Sequence, residues 1–241
     1  MRAWRERQLL LFRDQVLGEA EQLRAVGLFA PAIDESADAA GVNYVSNARS
    51  DGILREGVLI FHSDLAFTPH PLHAISLYAI EIPASGSATH FANAVAACRT
   101  LPAALRARAA GRSARHVFDL VSQRSDRPYR LEETPNPVCA EHPVLWPHPD
   151  TGEEILYVSE MQTDRIGGLP GAESAALLAA LLAHLYLPQH LYCHSWRPGD
   201  LIVWHNRALQ HARAPFDERE RRTLRRAVAG TGVVRAYPPR R

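Results

Sequence analysis

The sequence predicts an α+β chain: a β-sandwich or barrel core with helical additions. Its apolar runs are short, four to eight residues, and are bounded by Pro, Gly, Asp or Ser, as buried strands are. Helical periodicity is confined to a few segments and does not alternate regularly with the strands, which disfavours a doubly wound sheet. With 241 residues, 46% hydrophobic and 22% charged, the chain can bury one sizeable core and is short for two ordinary domains. No repeat or low-complexity linker divides it, so residues 1–241 are read as one domain.

The elements follow in order. Leu9-Leu10-Leu11-Phe12 reads as a buried strand, and a helix is expected from Glu19 to Val26, ending before Pro31. Val58 to Phe61 and Ile75 to Ile82 are further strands. Asn93 to Arg99 and Pro102 to Ala110 read as two helical pieces, with Pro102 suited to a first turn and Gly111 to a stop. Short β-like runs at Val144–Trp146 and Ile155–Val158 flank a dense turn signal, Pro147-His148-Pro149-Asp150-Thr151-Gly152. Ala172 to Leu185 is the best helix, with Leu177, Leu178, Leu181, Leu182 and Leu185 on one stripe. Leu201 to Trp204 and Thr223 to Val228 complete the strands.

Composition excludes several functions. Lys+Arg is 27 against Asp+Glu 26, so no global charge favours nucleic acid or a membrane surface. Every basic residue is Arg, which removes a P-loop lysine, a Schiff-base lysine and a lysine base. Cys98, Cys139 and Cys193 have neither zinc spacing nor a disulfide framework, which suits a reducing compartment. The apolar run near the N-terminus is too short for a signal segment, and no run approaches the roughly 20 residues of a membrane span. A cytoplasmic location is therefore expected.

Chemistry concentrates on histidine. His62-Ser63-Asp64 follows the strand Val58–Phe61, and at a strand end residues i and i+2 project to the same side. An imidazole and a carboxylate so placed, with a distant third ligand, make a facial triad that leaves positions open on Fe(II). With 12 histidines in 241 residues, chance supplies about half of one His-x-Asp, and the pair alone is weak. A second pair, His148-Pro149-Asp150, lies in the turn and is read as turn chemistry, its Asp bonding nearby backbone. His70 and His73, on a proline-stiffened loop, are set aside as ligands, and His116 is either a pocket residue or a core histidine. If Thr223–Val228 is a strand, Arg222, Leu224 and Arg226 share a face and could enter one cavity; a solvated basic edge strand is the plain alternative.

Taken together, six segments resemble the Fe(II)- and 2-oxoglutarate-dependent oxygenases of the taurine dioxygenase and 2,4-dichlorophenoxyacetate dioxygenase type. In order they are QLLLFRDQ, FHSDLAF, GSATHFANA leading into LPAALRAR, HPDTGEEILYVSEMQTDRIGGLP, WRPGDLIVWHNRALQHA and RRTLRRAVAG. The resemblance implies a double-stranded β-helix (jelly roll) with helical insertions packed on one sheet. It implies His62, Asp64 and His211 as iron ligands. Thr89, 27 positions after His62, and Arg222, 11 after His211, would bind 2-oxoglutarate. Arg226, 15 after His211, would lie beside the substrate's anionic end. The implied reaction couples decarboxylation of 2-oxoglutarate, with O2, to hydroxylation of a small anionic molecule, a carboxylate or sulfonate. An oxygen-independent metal-dependent hydrolase or isomerase on the same fold, and an inactive family member, are the alternatives; both leave intact features unexplained. Two departures stand out. His205 occupies a position where the family has Asp, so its imidazole either backs His211 or lies on the opposite strand face. The chain also starts closer to its first strand than relatives do, so a homodimer is one way to cover the exposed sheet.

Overall fold

The structure is a computed structural model that describes residues 1–33, 41–118, 126, 128 and 137–231. In chain order the elements are α1 (Arg2–Arg7), β1 (Leu9–Phe12), α2 (Glu19–Val26), β2 (Ala32–Ile33), β3 (Val42–Ser46), β4 (Leu59–His62), β5 (Ala74–Glu81) and β6 (Thr89–Asn93). Then come α3 (Ala94–Arg99), α4 (Ala103–Ala109), β7 (Ser113–Phe118), β8 (Val138–Pro143), β9 (Leu145–Pro147), β10 (Glu154–Leu156) and β11 (Thr163–Ile166). The last are α5 (Gly171–Leu185), β12 (Leu191–His194), β13 (Leu201–His205), β14 (Leu209–Arg213) and β15 (Thr223–Ala229). None of the described helices is long and apolar enough to cross a membrane.

Two antiparallel sheets form the core. The larger runs β1-β13-β5-β15-β2, with β3 also paired to β15, and the smaller runs β12-β6-β14-β4. Their facing side chains pack together: Ile75, Leu77, Ile202, Trp204, Leu224 and Val228 from the larger sheet meet Phe91 and Leu209 from the smaller. Strand β13 shows why its sequence is apolar throughout. Ile202 and Trp204 point to this inner core, whereas Leu201 and Val203 point outward to a second cluster under Trp4 and Val26. Both faces of that strand are buried, so polar alternation is absent.

The helices divide between two places rather than gathering on one sheet, because two separate apolar faces need cover. Helices α1 and α2 lie over the outside of the larger sheet through Trp4 and Val26. Helix α5 buries Leu177, Leu181 and Leu185 in another cluster with Ala94, Val95 and Cys98 of α3 and Ile155 and Leu156 of β10. Asn93 starts α3 by accepting the Ala96 amide at 2.9 Å. The turn expected around Pro147–Gly152 joins β9 to β10, which pair antiparallel.

His116 is a core histidine: it is 1% exposed, and its Nδ1 lies 3.3 Å from the Thr163 hydroxyl. Burial and the neighbouring His142 hold its pKa down to about 3. An unfolded chain takes up this proton near 6.5 and the folded one does not, so stability is complete above pH 6.5 and is lost as pH falls toward 3. Lowering the pH from 7 to 5 is expected to reduce the urea midpoint, this group contributing up to about 1.4 kcal/mol per pH unit. His116→Phe should flatten that dependence; an unchanged slope would contradict the assignment.

Candidate metal centre and anion pocket

The two sheets leave between them a cavity of about 50 Å³ lined by His62, Asp64, Thr89, His211, Arg213, Arg222 and Arg226, with Leu77, Trp204 and Leu224 as apolar wall. Register explains the meeting. His211 of β14 stands opposite His62 of β4 on one side and Phe91 of β6 on the other. Thr89 stands opposite Arg213, two residues beyond His211 and hence on the same face. Arg222 and Arg226 reach the cavity from the facing sheet. The structure therefore rejects the edge-strand alternative: β15 is interior, paired to β5 on one side and to β3 and β2 on the other. Arg222 is 2% exposed and Arg226 is 8% exposed. Arg225, on the opposite face, bonds Gln22 and the Leu17 carbonyl instead.

His62, Asp64 and His211 each offer one donor atom, and these atoms lie within 4.8 Å of one another. Asp64 Oδ1 is 3.2 Å from His62 Nε2 and 3.6 Å from His211 Nε2, while Oδ2 receives Arg226 at 2.6 Å. His62 Nδ1 lies 2.8 Å from the Ile60 carbonyl, so that nitrogen carries the proton and Nε2 faces the cluster with its lone pair. Burial, with His62 alongside, brings the His211 pKa down to about 3. Burial works against the Asp64 charge, but His211 and His62 outweigh it and the carboxyl sits below its usual range. Two imidazoles and a carboxylate on one side of a cavity are a donor set suited to Fe(II).

Asp64 follows the end of β4 and is held from behind. Asn206, completely buried, accepts the Asp64 amide through Oδ1 at 2.8 Å and donates Nδ2 to the carbonyls of Asp64 at 2.9 Å and Leu72 at 3.1 Å. Asn206→Ala strips all three bonds, and the loss expected is roughly 3 kcal/mol of stability with weaker metal binding. Urea unfolding and metal titration read the two effects; normal metal affinity would show that Asn206 does not position Asp64.

The other end of the cavity is positive. Arg222 has an Nε without a hydrogen-bond partner among the described residues, and burial followed by the nearby Arg213 lowers its pKa to about 9. Phe216 lies under its guanidinium at 5.5 Å. Arg213 differs: it is occupied by the carbonyls of Leu54, Glu56 and Gly57. Thr89 accepts the Trp196 indole N–H at 2.9 Å, so its hydroxyl proton remains available to the cavity. A buried guanidinium that meets no carboxylate among the described residues, beside a hydroxyl donor, fits a carboxylate ligand.

Of the residues singled out in the sequence, all six of His62, Asp64, Thr89, His211, Arg222 and Arg226 converge here. His205 does not: Trp204 packs edge-on against His211 at 4.9 Å, and His205, the next residue, turns to the opposite face beside Trp4, His73 and His148. Asp150 departs from its expected turn role. Its carboxylate takes the Trp4 indole N–H at 3.4 Å, and its own amide bonds His148 Nδ1. Asn206 and Arg213 were missed, although Arg213 carried a signal, since i+2 from His211 on a strand shares its face.

Residues 1–228 match the family described as taurine catabolism dioxygenase TauD, TfdA family. The chain is 32% identical over 199 residues to pentalenolactone F synthase of Streptomyces arenae, covering 78% of this chain and 67% of that one. It is 30% identical over 244 residues to the (S)-phenoxypropionate/alpha-ketoglutarate-dioxygenase of Sphingobium herbicidovorans, covering 92% and 82%. Its fold superposes on the crystal structure of AAD-2 in complex with Mn(II) and N-oxalylglycine with a TM-score of 0.79 at 26% identity, covering 96% and 85%. Fold and sequence together define an Fe(II)- and 2-oxoglutarate-dependent dioxygenase. The chain belongs to the TauD/TfdA family.

Proposed function

We propose that this dioxygenase hydroxylates a small anionic molecule in the cavity between the sheets, with iron held by His62, Asp64 and His211. Iron and 2-oxoglutarate, when bound, supply the oxidising chemistry: 2-oxoglutarate is decarboxylated to succinate and CO2 with O2 as oxidant, and a substrate C–H bond becomes C–OH. The protein's part is orientation and exclusion of water. Arg222 and Thr89 seat the distal carboxylate of 2-oxoglutarate, which fixes its other end toward the metal ligands. Leu77, Leu224 and Trp204 keep the surroundings dry, which strengthens each charge interaction.

The observation that carries this reading is Arg222, a buried guanidinium whose Nε has no hydrogen-bond partner among the described residues, in the same cavity as a two-histidine, one-aspartate cluster. A cation so placed is costly unless an anion completes it. Arg226 is read differently from its first expectation: with Asp64 at 2.6 Å, it orients the metal carboxylate, so that Oδ1 faces the histidines. It can still lend its positive field to an anionic substrate. A double-stranded β-helix is the arrangement that the two facing sheets best suit. Residues 1–241 as one domain, a cytoplasmic location and a homodimer are part of the same reading.

Succinate release tests it. Purified protein with Fe(II), ascorbate and 2-oxoglutarate is screened against aryloxyalkanoates, sulfonates and sulfate esters. Succinate should form in step with a hydroxylated product from at least one anionic class. Turnover of neutral compounds alone would overturn the substrate assignment.

A further inference from the structure

The outer face of β13 carries a second cluster that the dioxygenase reaction does not use. His73 precedes β5 and His205 ends β13, and the antiparallel pairing of these strands sets the rings 4.5 Å apart. Asp150, from the turn between β9 and β10, brings Oδ2 to 3.8 Å from His73 Nε2. One donor atom from each of His73, Asp150 and His205 lies within 4.8 Å of the others. His205 is fully buried, and its Nε2 has no hydrogen-bond partner among the described residues; the same holds for His73 Nε2. Buried polar atoms left unpaired are costly, so two imidazole nitrogens beside one carboxylate point to a group that joins them.

We propose that His73, Asp150 and His205 bind a second divalent transition-metal ion, with Zn(II) the best match. Two imidazoles and a carboxylate are borderline N/O donors, and three protein ligands with one open position are a familiar zinc arrangement. Ligands at about 2.0–2.1 Å in a tetrahedron stand roughly 3.4 Å apart, so the 3.8 Å pair needs to close by only a few tenths of an ångström.

His148 is not a ligand. Its Nδ1 accepts the Asp150 amide at 3.1 Å, so the proton is on Nε2 and goes to Gln8 Oε1 at 2.8 Å. It thereby fixes the turn that carries Asp150. At His205 the Ala208 amide contacts Nδ1 at 3.2 Å and also donates to the His205 carbonyl at 3.1 Å. Ligation at Nε2 moves the ring proton to Nδ1, and the amide then keeps only the carbonyl. Arg207 is the opposing charge: it is half-buried and acts on His73, His205 and Asp150. The ion would tie helix α1, through Trp4 and Gln8, and the 147–152 turn to the barrel.

Co(II) reports on such a site. Chelator-stripped protein is titrated anaerobically with Co(II), with bound metal measured by equilibrium dialysis. Wild type should bind two equivalents, one giving the intense visible bands of tetrahedral Co(II), which Zn(II) abolishes. His73→Gln and Asp150→Asn should lose that equivalent and its bands yet keep the other, whereas Asp64→Asn does the reverse. Arg207→Gln should tighten the second equivalent about tenfold. A wild-type stoichiometry of one overturns the proposal however the variants fold, as does a second equivalent unchanged by both His73→Gln and Asp150→Asn.

Discussion

Arg222→Met should raise the stability of the ligand-free protein while weakening 2-oxoglutarate binding by at least about 100-fold. The two effects share one cause. In the free protein the Arg222 guanidinium is buried, its Nε has no hydrogen-bond partner among the described residues, and Arg213 adds a like charge. Its backbone bonds to Asn47 do not depend on the side chain. Replacing a buried charge by an apolar chain of similar length is commonly neutral or stabilising by about 1–4 kcal/mol. The cosubstrate's carboxylate, by contrast, loses its partner inside a buried cavity, at a cost of about 3–5 kcal/mol. Urea midpoints and isothermal titration read the two quantities. A purely structural arginine would move both downward, and that result would remove it from the cosubstrate site.

Asp64→Asn should have the second large effect. The substitution keeps the side chain's shape and leaves the backbone bonds to Asn206 in place. It removes the charge that faces two imidazoles at 3.2 and 3.6 Å and Arg226 at 2.6 Å. Fe(II) affinity should fall more than about 100-fold, beyond the loss typical of residues behind a ligand. Urea unfolding should show a loss of stability as well, because the bond from Arg226 to Oδ2 is lost in a buried setting. Arg226→Met removes the bond behind Oδ2 but keeps all three donors, so Fe(II) affinity should fall by about 10–100-fold, less than in Asp64→Asn. A loss in Arg226→Met as large as that in Asp64→Asn would break the assigned division of labour at Asp64 between Oδ1 and Oδ2.

How much of this was readable beforehand depended on the kind of signal each residue carries. The β13 run Leu201–Trp204 was plain as a strand because both faces are buried, and α5 was plain from its leucine stripe. His62 and Asp64 could be paired by local spacing, since a strand end brings i and i+2 together. His211 and Thr89 are remote in sequence and meet the pair through strand register, so only the resemblance named them, whereas the period-2 face of β15 already offered Arg222 to a cavity. Strands β6, β12 and β14 carry His, Asn, Gln or Arg among their apolar residues because one face lines a polar cavity or the surface. Their composition hid them. Helix α1 escaped notice for another reason: one buried residue, Trp4, holds it, and a single anchor leaves no periodicity. The His73–Asp150–His205 cluster was out of reach because its members come from three separate segments, and the turn chemistry of Pro149 and Gly152 gave Asp150 a sufficient local explanation.

The central claim is that one cavity holds both the metal ligands and the 2-oxoglutarate seat. Visible absorption tests it most directly: Fe(II) and then 2-oxoglutarate are added to the metal-free protein under anaerobic conditions. A metal-to-ligand charge-transfer band should appear only when both are present, and should be absent in His211→Ala and in Arg222→Ala. A folded, iron-loaded protein that gives no band with 2-oxoglutarate would contradict the shared site.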